Sequence, residues 1–212
     1  MNTVRTLAVM IAMTLPTLIG CIGVATESPF GNIKDALPID ESLLREWQTE
    51  DDNLKVSFSR AGQNFPASMY RMTMAGYDDP YVTCFYITKL ENRKIINIVE
   101  FVNDKLPKKW DPKFVRCYYA VQLERRGKQL LLKPNNEKSI VKAVKAGKLK
   151  RNSQPDVDVD VDLDDLDLDF DELPVESDEL LITSSRADLL EYANADIDAY
   201  FSGKKFLLKP VN

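Results

Sequence analysis

The stretch that decides the fold is residues 114–133, which read FVRCYYAVQLERRGKQLLLK. Apolar side chains recur at every second position of its first half and share one side of an extended chain: Val115, Cys117, Tyr119, Val121 and Leu123. Alternation with a period of two indicates a strand with one buried face. Gly127 separates this run from a second one at Gln129–Lys133, as in a hairpin turn. The stretch therefore predicts two antiparallel strands.

Strand patterns continue on the N-terminal side of this hairpin. Residues 54–59 and 69–74 alternate between apolar and polar side chains, and residues 81–90 and 94–101 form two denser apolar runs around a turn. A final strand is predicted at Lys205–Lys209. A row of about six antiparallel strands with short connections is typical of a sheet that curves on itself. The sequence therefore predicts an antiparallel curved meander or a small open barrel.

Helical patterns accompany the strands. Asp40 is a suitable N-cap for a short helix that includes Trp47. Residues 136–149 form a basic amphipathic helix, and a further helix is predicted from a cap at Ser185 to a stop at Gly203. Together with the strands, two or three helices predict the α+β class.

Two segments of the chain are similar to each other. Residues 127–134 read GKQLLLKP and residues 203–210 read GKKFLLKP, with six of eight positions identical. Their flanking residues are unrelated, so a duplication is not indicated. We interpret both segments as strands that begin after a glycine and end at a proline.

Composition and charge exclude several functions. The chain of 212 residues contains no histidine, which excludes Ser-His-Asp and Cys-His catalysis and imidazole metal sites. The net charge is −5, yet residues 156–172 alone carry ten Asp or Glu residues. Subtracting these ten from 33 acidic residues leaves 23 against 28 basic ones, so the rest of the chain is basic. The negative total and the export signal described next argue against a nucleic-acid partner.

The N-terminus has the pattern of an export signal. Arg5 precedes an uncharged apolar run, Leu7–Gly20, whose fourteen residues would rise about 21 Å as a helix. This length is too short for a bilayer core of about 30 Å and is typical of a signal peptide. The run ends in Leu18-Ile19-Gly20-Cys21, which resembles the lipobox of bacterial lipoproteins and implies lipid attachment at Cys21. The alternative is cleavage after Ala25 and free secretion.

These features predict an order of segments along the chain and a location in the cell. The export signal and the lipobox predict a protein of the bacterial cell envelope, held by its lipid anchor on the outer membrane or the periplasmic face. The absence of an aspartate after Cys21 favours the outer membrane. The predicted segments are a signal peptide at 1–20, a lipid-anchored tether at 21–38, the first part of a β-rich domain at 39–150, an acidic disordered insert at 151–178, and a C-terminal strand–helix–strand at 179–212.

The other two cysteines, Cys84 and Cys117, lie in predicted strands. In an oxidising compartment they are candidates for a disulfide. The alternative is that both are buried free thiols, which behave as small apolar side chains.

The acidic row is the candidate site for cations. Its spacing of two places Asp158, Asp160, Asp162 and Asp164 near one another, and hard cations prefer such oxygen ligands. An EF-hand loop needs glycine at its sixth position, which is Leu163 here, so only weak cation binding is predicted and no structural metal or cofactor. The alternatives are a solvated linker and a docking strip for a basic partner.

One short motif suggests catalysis. Ser139-Ile140-Val141-Lys142 matches the Ser-x-x-Lys pair of penicillin-recognising enzymes, but the companion motifs of that class are missing from the sequence. The motif lies in the predicted basic helix. The lysines of that helix have three possible roles: they form a solvated face, they pair with the acidic row, or they bind anionic lipid.

The layout resembles a family of uncharacterised bacterial lipoproteins with a small β-rich domain. The matching pieces are the early Leu43-Leu44-x-x-Trp47, the hairpins around Lys89-Leu90 and Gly127, the helix end Ala146–Leu149, and the segment Leu181–Ser185 with Leu189-Leu190. The start is also similar to lipocalin-like barrels, with Arg45 where those proteins have glycine. The resemblance implies a β-rich fold and no catalytic motif.

The sequence thus predicts a non-enzymatic, lipid-anchored envelope protein whose domain binds a protein partner or an apolar ligand. Two alternatives remain open. One is a hydrolytic enzyme that uses carboxylates or Ser139 and Lys142. The other is a cation-buffering surface protein that acts through the acidic row.

Overall fold

A computed structural model of the chain describes residues 24–49, 54–75, 80–102, 105–152 and 180–211. The predicted signal peptide, the lipidation site Cys21 and the aspartates at 158, 160, 162 and 164 lie outside the described residues. Within the described part of the chain, no helix is long and apolar enough to cross a membrane.

The described chain folds as an antiparallel barrel with helices on its outside. The strands are β1 (Ala25–Thr26), β2 (Glu46–Thr49), β3 (Lys55–Arg60), β4 (Tyr70–Ala75), β5 (Tyr81–Leu90), β6 (Arg93–Phe101), β7 (Val115–Arg126), β8 (Gln129–Pro134), β9 (Leu181–Ile182) and β10 (Phe206–Pro210). From β2 to β8 each strand pairs antiparallel with the next one along the chain. This confirms the predicted β-rich meander.

The barrel is closed, which corrects the prediction of an open one. Strand β10 pairs antiparallel with β8 on one side and with β2 on the other. Leu208 lies opposite Leu130 of β8 and opposite Thr49 of β2. Because the last strand joins the first, the eight strands β2–β8 and β10 have no free sheet edge between them.

The side chains of one parity fill the barrel interior. The aromatic rings of Tyr70 and Phe85 stack at 4.6 Å between centroids, and Phe58 packs edge-on against Phe85 at 5.0 Å. An eight-stranded barrel has an interior just wide enough to be filled by side chains or to hold one small ligand. The interior is therefore mostly a packed core.

One end of the barrel is closed by a 3₁₀-helix, Glu41–Leu43. Its N-cap is Asp40, as predicted, and the Asp40 side chain accepts a hydrogen bond from the Ser42 amide. Trp47 does not continue this helix but lies on β2, where its indole Nε1 donates to the Leu43 carbonyl at 3.1 Å. The predicted helical face through Trp47 is wrong, because strand pairing with β3 extends the chain from Glu46 onward.

Three α-helices are present in the described chain: α1 (Glu137–Lys145), α2 (Arg186–Ala195) and α3 (Ile197–Tyr200). Ser185 caps α2 as predicted. Asp196 divides the predicted C-terminal helix, since it ends α2 in an extended conformation and caps α3. The apolar faces of these helices pack on the outer side of the barrel wall, in contact with Ile95 and Ala120.

Residues 24–38, the described part of the predicted tether, lie against the barrel. Strand β1 pairs with β7 and, in parallel, with β9. Phe30 is buried between Tyr200 and Phe201, and a side chain at Gly31 would collide with Thr88 of β5. From Val24 onward this segment is thus part of the folded domain.

Candidate functional site

The barrel interior contains a cavity of about 70 Å³. It lies toward the end of the barrel opposite the 3₁₀-helix, where β2 ends at Thr49 and β10 begins at Phe206. Its walls are almost entirely apolar, and they come from strands that are distant in sequence: Leu54, Met72, Met74, Val121, Leu132 and Phe206 contribute to them. An apolar cavity of this kind accepts small apolar groups and disfavours charged ones.

A buried carboxylate lies on the strand that contributes Ile98 to the cavity. Glu100 is only 3% exposed and is two residues beyond Ile98 on β6, with its side chain on the same inner face. The Tyr119 hydroxyl donates to Glu100 Oε2 at 2.8 Å, Arg116 Nη1 donates to Oε1 at 3.0 Å, and the Cys117 thiol lies 3.2 Å from Oε2. These contacts compensate the cost of burying the carboxylate.

Sequence reasoning missed Glu100, although a signal was present. In residues 95–101, which read IINIVEF, Glu100 has the same parity as Ile96 and Ile98. An acidic residue on the apolar face of a strand is rarely buried unless it has partners. The signal therefore predicts a partner, but only the pairing of β6 with β7 identifies it as Arg116 together with Tyr119.

Neither Cys84 nor Cys117 forms a disulfide, and they lie on opposite sides of the barrel wall. Cys117 belongs to the interior cluster, whereas Cys84 packs in an outer cluster with Tyr86 and Val99. Strand β6 also lies between their two strands, since Cys84 of β5 lies opposite Val99, which in turn lies opposite Tyr118 of β7. Two strand spacings amount to about 9.5 Å, and a disulfide needs Cα atoms within about 7 Å, so the structure does not bring the predicted disulfide partners together. Burial raises the pKa of the Cys84 thiol to about 12.

The strand aromatics divide between the same two faces. Tyr70, Phe85 and Tyr119 point into the barrel, while Tyr86 and Tyr118 pack in the outer cluster. Burial raises the pKa of Tyr86, whose hydroxyl donates to the Gly31 carbonyl at 2.8 Å. These rings are packed in the two clusters as core residues.

The Ser-x-x-Lys motif does not form a catalytic pair. Ser139 Oγ lies 3.0 Å from the Tyr192 hydroxyl, which donates to the Ser139 carbonyl at 2.9 Å. Lys142 is exposed on the outward side of α1, and no hydrogen bond between it and Ser139 is found in the described chain. A nucleophilic serine needs a base within hydrogen-bonding distance, and the predicted base Lys142 has no such contact with Ser139 in the described chain.

A second recess of about 420 Å³ lies near the plugged end of the barrel. It is lined by charged residues of β6, β7 and β8, but most of its cations have carboxylate partners. Arg93 makes two hydrogen bonds to Asp198, at 2.6 and 3.0 Å, and Lys133 lies 2.7 Å from Glu124. Hydrogen bonding to Lys133 holds the pKa of Glu124 below its usual range. The recess has the volume of a ligand pocket, but its charges largely neutralise one another.

No group of three or more Cys, Asp or Glu side chains suited to a metal ion occurs among the described residues. No known family model matches the chain, and neither a curated protein nor a solved structure is significantly similar to it. The barrel interior is thus the candidate functional site on physical grounds alone.

Proposed function

We propose that the chain is a lipid-anchored protein of the bacterial cell envelope whose barrel binds a small apolar ligand. The observation that carries the proposal is the apolar cavity of about 70 Å³ within a closed barrel. The other end of that barrel is plugged by Leu43 and Trp47, so a ligand would bind in a cup with one closed end.

The size of the cavity limits the ligand. A water molecule occupies about 30 Å³ in the liquid, and pockets for drug-sized ligands measure roughly 300–1,000 Å³. A cavity of about 70 Å³ therefore suits a small hydrocarbon group or the end of an alkyl chain.

The packing of β1 favours the anchor at Cys21 over secretion after Ala25. Val24 and Ala25 are buried, and Ala25 pairs with Tyr119 of β7 and with Leu181 of β9. Cleavage after Ala25 would remove half of this strand from the domain. Cleavage before Cys21 leaves the whole strand in place.

Mass spectrometry of the full chain, purified from its host membrane, tests both parts of the proposal. We expect the denatured spectrum to show a chain that begins at Cys21 with a covalent acyl mass. We expect the native spectrum to show an additional non-covalent mass. Val121→Leu fills the cavity, so it should lose the non-covalent mass, whereas Val115→Leu changes a residue of the outer cluster and should keep it.

The denatured spectrum tests the lipid anchor, and the native spectrum tests ligand binding, so each part of the proposal can be contradicted on its own. A chain that begins at Thr26 would contradict the anchor. A non-covalent mass that is absent from the unmodified chain, or that is retained equally by Val121→Leu and Val115→Leu, would contradict ligand binding in the cavity.

A further inference from the structure

Helix α1 presents a strongly basic face to solvent. Lys138, Lys142 and Lys145 are spaced four and three residues apart, so they share one side of the helix. All three are exposed, while Ile140 and Ala143 are buried on the opposite side against the barrel. The exposed residues Lys148, Lys150 and Arg151 follow directly, and we call these six cations the α1 patch.

The α1 patch concentrates positive charge on one part of the surface. Within the described chain no ion pair involves Lys142, Lys145, Lys148, Lys150 or Arg151, whereas Arg93, Lys94 and Lys133 of the charged recess have acidic partners. The only acidic residue of α1 is Glu137. Like charges held together this way favour an anionic partner.

Val24, where the described chain begins, lies beside the start of α1. Asn135, next to the N-cap of α1, makes hydrogen bonds with both backbone groups of Val24. Its Oδ1 accepts from the Val24 amide at 2.7 Å, and its Nδ2 donates to the Val24 carbonyl at 3.0 Å. Cys21 is three residues before Val24, and three extended residues span at most about 11 Å.

We propose that the α1 patch docks on the anionic phospholipid of the membrane to which Cys21 is anchored. This inference rests on the proposed anchor, since an acylated Cys21 would hold this side of the domain at the bilayer. Each Lys or Arg near an anionic surface strengthens binding roughly fivefold, so a cluster of them adds substantially to one lipid anchor. The docked domain would present its α1 side to the membrane.

Vesicle binding of the full acylated chain tests the proposal. Partition coefficients are measured on vesicles of phosphatidylcholine alone and on vesicles that also contain phosphatidylglycerol. The test variant is Lys142→Gln, Lys145→Gln and Lys148→Gln combined, because glutamine keeps the helix propensity and removes the charge. The control variant combines Lys108→Gln, Lys109→Gln and Lys113→Gln, three exposed lysines of the loop before β7. Thermal unfolding confirms that both variants are folded.

We expect the unmodified chain to prefer the phosphatidylglycerol vesicles, and the test variant to lose this preference by roughly a hundredfold. The control variant should retain most of the preference for phosphatidylglycerol vesicles. If the test variant keeps the preference, the α1 patch does not dock on lipid, and the acidic row at 156–172 or solvent is its partner. A loss only in the control variant, or an equal loss in both, also overturns the assignment.

Failure of the anchor gives a different result. Binding to phosphatidylcholine alone reports the acyl chain, so its absence would contradict lipidation at Cys21. A preference for phosphatidylglycerol that depends on the three test lysines would still support docking of the α1 patch.

Discussion

At the scale of single residues, Glu100 is the least expected feature of the interior. A buried carboxylate is costly unless its oxygens have partners, and here Tyr119 and Arg116 supply hydrogen bonds. The Arg116 side chain is 54% exposed, so solvent screens its charge and the Tyr119 hydroxyl is the better shielded partner. Glu100 therefore contributes to the stability of this part of the barrel.

We predict that Glu100→Ala lowers the free energy of unfolding by about 2–3 kcal/mol, because it leaves the Tyr119 hydroxyl without its acceptor. Urea unfolding followed by fluorescence measures the change. The control is Glu46→Ala, which removes an exposed ion pair with Lys55 and should cost less than about 1 kcal/mol. Equal losses in the two variants would show that the Glu100 contacts contribute little.

At the scale of elements, the short strand β1 depends on one side chain from another part of the chain. Its pairing with β7 and β9 covers only Ala25 and Thr26. Asn135, which is 2% exposed, adds two hydrogen bonds to Val24. The side chain of Asn136, the next residue, instead caps α1 by accepting from the Ser139 amide.

We predict that Asn135→Ala speeds hydrogen exchange at residues 24–27 and lowers the free energy of unfolding by about 2–4 kcal/mol, since two buried backbone groups of Val24 lose their partners. Asn136→Ala is the matched control and should cost about 1 kcal/mol through the lost cap. In Asn136→Ala, hydrogen exchange should become faster at the start of α1 and not at β1. Unchanged exchange at β1 in Asn135→Ala would contradict the role of this side chain.

At the scale of the whole molecule, closure depends on β10. This strand is separated from β8 by all three helices, yet it lies between β8 and β2 in the barrel. Leu208 points into the interior and is 2% exposed, while its neighbour Leu207 is only half-buried. The closing strand therefore contributes to the core and to the cavity wall at once.

We predict that Leu208→Ala lowers the free energy of unfolding by about 2–5 kcal/mol, because it removes a buried side chain and enlarges the cavity. The control Leu207→Ala changes the same residue type one position away and should cost about half as much or less. Chemical unfolding measures both values. Equal costs would place the two side chains in similar surroundings and contradict the inward orientation of Leu208.

Much of the local structure is predictable from the sequence. Alternating residues predict the hairpin of β7 and β8, and the caps at Asp40 and Ser185 mark where helices begin. The two similar segments are both strands, as predicted, and they are neighbours in the barrel. These features follow from near neighbours in the chain, because periodicity and capping act over a few residues.

The sequence by itself determined most of the segments that form strands and helices, the inward-facing residues of β7, and the absence of histidine chemistry. Only the tertiary structure decided that the barrel closes, that Cys84 and Cys117 lie on opposite faces, and that an apolar cavity remains inside. The physical reason is the separation along the chain of the residues that interact. Closure and the cavity depend on register and packing between strands far apart in the chain, and no local pattern encodes these relations.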